Sequence, residues 1–530
     1  MIFKVFMIKN KFFQIFLIIL ISGFYFFSRL QNLTSIPVFC DEAIYIRWAQ
    51  IIQSEDHLRF IPQTDGKQPL FMWLNAATLK FIEDPLVAGR LISVFAGFGI
   101  LLLLFITTAI FLNYEDKESN IFKFIKTSIN KNFYQGLFTS LIYCLLPFSF
   151  FFDRLALADN LLSFFGFLAL LLSFLLSKYP RLDLALILGF ILGLSWLTKS
   201  PAIYFVVLSF LTFLILKKKS TIYNLVSNIY LPIISSIVAF LIYNILRLGP
   251  QFQMIALRNK DYIWTISEIL KHPFDPLKPH LLNAFNLYYQ YISIPILIFA
   301  FIGLIIFLKN KKETNLLNAK YLVLVSWWLL PLIANAAMAK VFTARYILFT
   351  LPPLILLISI GFLNFLTKIK SNILKIILII SVFILNINFI NNISLNPFNQ
   401  KLISSERNYL EEWTSGWGIK ESADFLKQRS LSANIIVGTE GAFGTLPDGL
   451  QIYARNVPHL TIIGVGLGFS KIPTSLVNAR DYGDEVYLLI NKSRLKLDTD
   501  ELNQLELTKS FIKPDGDQLL LYKLKPVTVK

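Results

Sequence analysis

The sequence predicts a polytopic α-helical membrane protein of about eleven transmembrane helices with a small C-terminal α/β domain. Three observations predict it. Of the 530 residues, 55% are hydrophobic and only 16% are charged, where a soluble domain carries about a quarter. Apolar runs near the ~20 residues that a helix needs to cross a bilayer recur through the first three-quarters of the chain. After Asn391 the composition changes to short β-rich runs mixed with charged helical sequence.

Hydropathy places the helices at about 12–28, 87–112, 134–152, 160–177, 184–199, 201–216, 225–246, 286–308, 321–337, 346–364 and 373–390. Basic residues precede the first run, at Lys4, Lys9 and Lys11. No small-residue cleavage site follows it, so it reads as an uncleaved span. Short basic segments recur at 114–132, Lys178 with Arg181, Lys217–Lys219, Lys309 with Lys311 and Lys312, and Lys368 with Lys370. In this count they fall on one side, which the positive-inside rule makes cytoplasmic. The N-terminus is then inside, and 391–530 is an extracytoplasmic domain following a membrane domain at 1–390. The domain itself reads as one helix, "GIKESADFLKQRS", and four strands, "ANIIVGTE", "HLTIIGVG", "DEVYLLIN" and "QLLLYKLK".

The net charge of +17 does not mark a nucleic-acid surface. Residues 391–530 hold 16 basic and 16 acidic residues, so the whole excess lies in the membrane part. Cys40 and Cys144 suggest no disulfide framework. The four histidines lack zinc-site spacing. The glycine-rich "GVGLG" at 464–468 has no suitable helix after it and reads as a strand-end turn. No internal repeat of the kind common in transporters is present.

The orientation sorts the remaining charges. Segments 29–86, 153–159, 199–201, 247–285 and 338–345 face outward, and two of them are too long to be simple connections. "CDEAIYIRWAQIIQ" carries Asp41 and Glu42, then Ile44, Trp48, Ile51 and Ile52 at helical spacing, which suits a helix lying flat at the interface. Alone, the two acids read as a hydrated turn. In company they read otherwise. "DGKQPLFMWL" supplies Lys67, "FFDRLALADN" supplies Asp153, Arg154 and Asp159, "GLSWLTKSP" supplies Lys199, and "KVFTARYILFTLPPL" supplies Arg345 and Tyr346. Cations gathered at one membrane face suit an anionic headgroup, and a carboxylate beside them suits proton abstraction.

These stretches resemble the membrane glycosyltransferases of the C-type fold, chiefly the dolichyl-phosphate-mannose–protein mannosyltransferases and the lipid A aminoarabinose transferases. The resemblance covers roughly residues 10–365 and rests most on "CDEAIYIRWAQ" and "RLALADN". It implies a sugar donor on a polyprenyl phosphate and an extracytoplasmic lipid, polysaccharide or protein acceptor. It implies Asp41 as base, with Glu42 and Asp159 shaping the catalytic site. Lys67, Lys199 and Arg345 become candidates for the donor phosphate. Arg154, Tyr288, Tyr289 and Tyr346 become candidates for substrate contact, although Tyr288 and Tyr289 also suit an interfacial aromatic belt. The resemblance implies no cofactor, while the adjacent Asp41 and Glu42 leave a divalent metal open. An envelope transporter or flippase, or a non-catalytic envelope assembly protein, is the competing reading.

Overall fold

The structure is a computed structural model that describes residues 11–217, 227–309 and 315–526. The expected topological residues Lys4, Lys9, Lys218, Lys219, Lys311 and Lys312, and the first residues of the 225–246 run, lie outside the described residues. Contacts divide the chain into two units. Of the described residues, one unit comprises those within 11–31, 59–71 and 91–391; the other comprises 32–58, 72–90 and 392–526.

Among the described residues, eight helices are long and apolar enough to span a membrane: Lys11–Leu30, Pro85–Leu112, Ala158–Lys178, Ser200–Lys217, Tyr230–Leu248, Ala319–Met338, Leu348–Lys368 and Asn372–Leu395. Two further spans are bent pairs. Phe133–Leu145 and Pro147–Asp153 meet at 67°, and Leu277–Ile292 and Ile294–Ile306 meet at 113°. The apolar helix Leu182–Thr198 is shorter. Together these account for every run read from hydropathy.

The bends follow from local chemistry. Leu146 is extended (ψ 128°) immediately before Pro147, because a proline ring disfavours helical geometry in the residue before it. At the second bend Ser293 takes φ +74°, and its N–H reaches back to the carbonyls of Tyr288 and Tyr289, closing one helix before Ile294-Pro295 opens the next.

Small residues set one close helix contact of the membrane unit. A Cβ on Gly361 would lie 1.9 Å from the Phe299 carbonyl oxygen, and one on Gly303 2.5 Å from that of Leu357. Helices Ile294–Lys309 and Leu351–Lys368 therefore pack backbone to backbone, as small residues permit in lipid. A buried polar cluster ties three segments of the same unit together. Asp153, fully buried, accepts from Tyr25 Oη (3.0 Å), Arg29 Nε (3.2 Å), Tyr143 Oη (2.9 Å) and Asn160 Nδ2 (2.6 Å). An ionised carboxylate out of water needs this many donors.

The second unit holds a five-stranded sheet in the order β2-β1-β3-β5-β4, with β1 Ile435–Thr439, β2 Leu460–Gly464, β3 Glu485–Asn491, β4 Leu505–Ile512 and β5 Gln518–Leu524. β1 runs parallel to β2 and β3; β5 runs antiparallel to β3 and β4. Helix Ile419–Ser430 forms where the sequence placed it. β4 was not anticipated. It is one of the two sheet edges, interrupted by a bulge between Leu507 and Lys509 and carrying charges that discourage further pairing.

Helix Cys40–Ser54 corrects one expectation. It is not a free interfacial helix: Ile44 and Ile52 are buried, and it packs against helix Asp448–Tyr453 of the same unit. Gln50 Nε2 donates to the Ile452 carbonyl (2.8 Å) and Arg455 to Ser54 Oγ (2.7 Å). The apolar stripe was right, but its partner is protein.

Candidate active site

In the membrane unit, interruptions between helices gather the cations. Lys199 caps helix Leu182–Thr198 in extended conformation (φ −164°, ψ 148°). This releases its side chain from the helical register before Pro201. Its Nζ donates a 2.6 Å hydrogen bond to Asp159 Oδ1, in the first turn of helix Ala158–Lys178. Asp159 is buried, and its Oδ2 has no hydrogen-bond partner among the described residues. The same ammonium lies 5.3 Å from the centre of the Tyr346 ring, within cation–π range. The charges of Arg345 and Lys67 both act on Lys199, against that of Asp159. Arg345 itself lies over the Tyr346 ring at 5.7 Å.

Lys67 follows the turn Ile61–Asp65 and Gly66, whose φ of +68° and near contact with Arg258 exclude a side chain. Arg258 holds Asp65 at 2.9 and 2.5 Å, and Lys67 lies 5.0 Å from the Tyr262 ring centre. Gln68 Nε2 donates to Ser200 Oγ at 2.7 Å, tying the Lys67 segment to the Lys199 segment. Asn335 joins the third segment, accepting from Tyr204 Oη (3.0 Å) and donating to the Tyr346 carbonyl (2.8 Å). Five expected residues, Lys67, Asp159, Lys199, Arg345 and Tyr346, thus form one cluster. Tyr262, Gln68 and Asn335 support it and were not expected; none carries a charge, and Gln68 entered only as part of the stretch "DGKQPLFMWL".

The other expected residues fall elsewhere. Arg154 is fully buried and donates to the carbonyls of Ser28 (3.2 Å) and Gln31 (2.8 Å), with Phe150 stacked at 4.9 Å. These contacts clamp the end of the first helix. Tyr288 is buried, bonded to Trp328 Nε1 at 3.2 Å and facing Thr350 Oγ1 at 3.4 Å, whereas Tyr289 is exposed.

Asp41 and Glu42 belong to the second unit, in the first turn of helix Cys40–Ser54, where the helix dipole favours negative charge. They differ sharply in environment. Glu42 is fully buried: Arg90 Nε reaches Oε1 at 2.8 Å and Arg90 Nη2 reaches Oε2 at 2.7 Å. Glu42 Oε2 also accepts the Phe39 N–H. Arg90 further donates to the carbonyls of Leu33, Ile36 and Pro37. Asp41 is only half-buried, so the Glu42–Arg90 pair fixes the turn that presents it. A divalent cation at these acids would compete with Arg90 for both Glu42 oxygens. No group of three or more His, Cys, Asp or Glu suited to a metal occurs among the described residues. Beside Asp41, burial pushes the Cys40 thiol up to about 11, with the Asp41 charge adding to the shift. It is therefore no nucleophile at neutral pH.

No protein-family model matches the sequence, and no curated protein does. Solved structures do. ArnT from Cupriavidus metallidurans bound to undecaprenyl phosphate aligns with a TM-score of 0.56 at 10% identity, over 96% of this chain and 97% of that one. The chain has the ArnT fold. The apo form of ArnT aligns over the same shares with a TM-score of 0.55 at 11% identity. The likeness to ArnT takes in the C-terminal sheet as well as the helices, and it agrees with the resemblance carried by the motifs.

Proposed function

We propose that the protein transfers a sugar from a polyprenyl-phosphate donor to an extracytoplasmic acceptor. The observation that carries this reading is the ion pair of buried Asp159 with half-buried Lys199, on which the charges of Lys67 and Arg345 also act. Together they are a group of cations at helix ends in a chain whose fold is that of ArnT, a protein solved with undecaprenyl phosphate bound.

In this reading the cations hold the donor phosphate. Asp41 takes the proton of the acceptor hydroxyl or amine as the acceptor heteroatom bonds to the sugar C1. The C1–O bond to phosphate breaks, and its electron pair leaves on the phosphate oxygen. The transition state is oxocarbenium-like. A phosphate leaving group is already a stable anion, so Lys199, Lys67 and Arg345 need only stabilise charge that develops there. One base and one displacement imply inversion at C1. Asp159 orients Lys199, and Glu42 with Arg90 orients Asp41; neither step calls for a metal. In this reading the N-terminus is cytoplasmic and the acids and cations face outward, which the distribution of basic loops in the sequence supports.

The test is sugar transfer by Asp41→Asn protein in proteoliposomes carrying polyprenyl-phosphate sugars. Normal insertion with transfer lost supports Asp41 as base. Full activity removes it.

A further inference from the structure

Helix Ile121–Lys131 takes no part in the chemistry above and lies at the other end of the membrane unit. Helix Ala158–Lys178 carries Asp159 in its first turn and Lys178 in its last, and 21 helical residues span about 30 Å. At the far end Lys178 Nζ donates to the carbonyls of Tyr114 (2.7 Å) and Asp116 (2.5 Å), and Tyr179 Oη to that of Glu118 (2.7 Å). This fixes the segment that leads into helix Ile121–Lys131. Asn120 caps the helix, accepting the Lys123 N–H at 3.0 Å.

The helix lies across the ends of two spans. Phe124, in its first half, meets the Tyr179 ring at 5.8 Å and Lys178 Nζ at 4.4 Å. In its second half Ser128 Oγ accepts from Asn113 Nδ2 and Lys131 Nζ donates to Asn113 Oδ1, both at 3.0 Å, just past the end of helix Pro85–Leu112. This docking covers only part of the apolar face. Ile121, Phe124 and Ser128 are buried, Ile125 and Ile129 half-buried, and Phe122 is 78% exposed. Phe122, Ile125 and Ile129 follow at spacings of three and four, so they form one stripe beside the docked face. Lys126 stands one turn from Phe122, and both Lys123 and Lys126 are exposed.

The helix holds three lysines and no acid. Acids of the preceding loop are engaged: Glu115 faces Lys320 at 3.7 Å, and Asp116 Oδ1 accepts the Glu118 N–H at 3.0 Å. Glu118 pairs with Lys123 at 3.0 Å, an exposed contact of small net worth that a phosphate can replace.

We infer that helix Ile121–Lys131 is a foot on the membrane face opposite the Lys199 cluster, with the Phe122 stripe in the acyl layer and Lys123 and Lys126 on the phosphates of anionic lipids. An apolar edge flanked by lysines seats a helix at the boundary between headgroups and acyl chains. Lipid is favoured over an acidic protein because Leu112, at the end of the span that the helix crosses, is also exposed, which puts acyl chains at the level of the stripe. The inference does not depend on the transferase reading.

The test uses the full-length protein in nanodiscs of phosphatidylcholine mixed with phosphatidylglycerol. Each sample carries a trace of either phosphatidylglycerol or phosphatidylcholine with a photoreactive group near the headgroup, and label on 121–131 is read by mass spectrometry. At low salt the anionic probe should label the wild-type helix at least about fivefold more, the gain for one lysine near an anionic surface, and added salt should shrink the ratio. Lys123→Gln with Lys126→Gln should bring the ratio towards one. Phe122→Ser should lower the label from both probes. These changes leave the buried face intact, and the comparison of the two probes in the wild type needs no variant to fold. Equal labelling of the wild type by both probes overturns the foot and leaves the lysines to solvent or an acidic protein. A preference that survives in the double variant, or label from neither probe, overturns it as well.

Discussion

Lys199 Nζ sits 2.6 Å from Asp159 Oδ1, while Asp159 Oδ2 lies buried without a hydrogen-bond partner among the described residues. A carboxylate kept out of water by one ammonium only is costly, and here the arrangement holds the lysine beside Lys67 and Arg345. Lys199→Ala should therefore lower donor affinity and transfer by about 10²–10³-fold, the range for deleting one donor to a developing anion. Asp159→Asn keeps the shape but removes the counter-charge. It should lower transfer by a smaller factor, about tenfold, through a misplaced Lys199. Equilibrium binding of a labelled polyprenyl phosphate checks both. Unchanged affinity in Lys199→Ala removes Lys199 from the phosphate site.

The two adjacent acids should fail in different ways. Asp41 is half-buried at a helix start, whereas Glu42 is fully buried with both oxygens on Arg90. Asp41→Asn should cost about 10²–10⁴ in rate, the span for a general base, with the melting temperature in detergent held. Glu42→Gln strands the Arg90 charge and should cost about 3–5 kcal/mol of stability, seen as a lowered melting temperature and reduced yield of folded protein. A rate loss in Glu42→Gln without any stability loss would contradict the positioning role given to it here.

The spans were legible because lipid forces each backbone to satisfy its own hydrogen bonds, so every crossing leaves a long apolar run. Their bends at Leu146 and Ser293 were not, since hydropathy averages over a Pro-X step. The cluster around Lys199 was legible as charges at helix ends. Arg90 was missed because it sits inside the apolar run read as the span 87–112, and a single guanidinium there looks like a snorkelling anchor. The helix Cys40–Ser54 had the right stripe, but Ile44 and Ile52 do not say whether lipid or protein covers them. β4 was missed because Glu506 and Lys509 interrupt an edge strand that only β5 pairs.

Gly361 carries a sharp packing prediction. Its Cα faces the Phe299 carbonyl so closely that a methyl group would sit 1.9 Å from the oxygen. Gly361→Ala should force the helices Ile294–Lys309 and Leu351–Lys368 apart and destabilise the membrane unit by about 1–3 kcal/mol, the usual cost of overpacking. Gly23, with nothing within 4 Å of its Cβ position, is the control, and Gly23→Ala should leave the melting temperature in place. Equal melting temperatures for the two variants would show that the close approach is not maintained in lipid.

Lys513 should make stability rise with pH on the alkaline side. Burial lowers its ammonium to about 8, with Arg494 adding to the shift and Asp517, Glu440 and Asp515 opposing it. Its Nζ donates to the carbonyls of Glu412 (2.8 Å) and Ser415 (2.9 Å). The unfolded lysine keeps its proton to about 10.4, so between pH 8 and that value the unfolded state binds more protons than the folded one. Stability from this group then increases with pH across that window, by up to about 3 kcal/mol, and is flat below it. Thermal unfolding of the full-length protein in detergent from pH 7 to 10, followed by tryptophan fluorescence, measures the slope. Lys513→Met lowers the baseline by removing two hydrogen bonds but should subtract this rising component. The same slope in wild type and variant would mean that Lys513 titrates as an ordinary surface lysine.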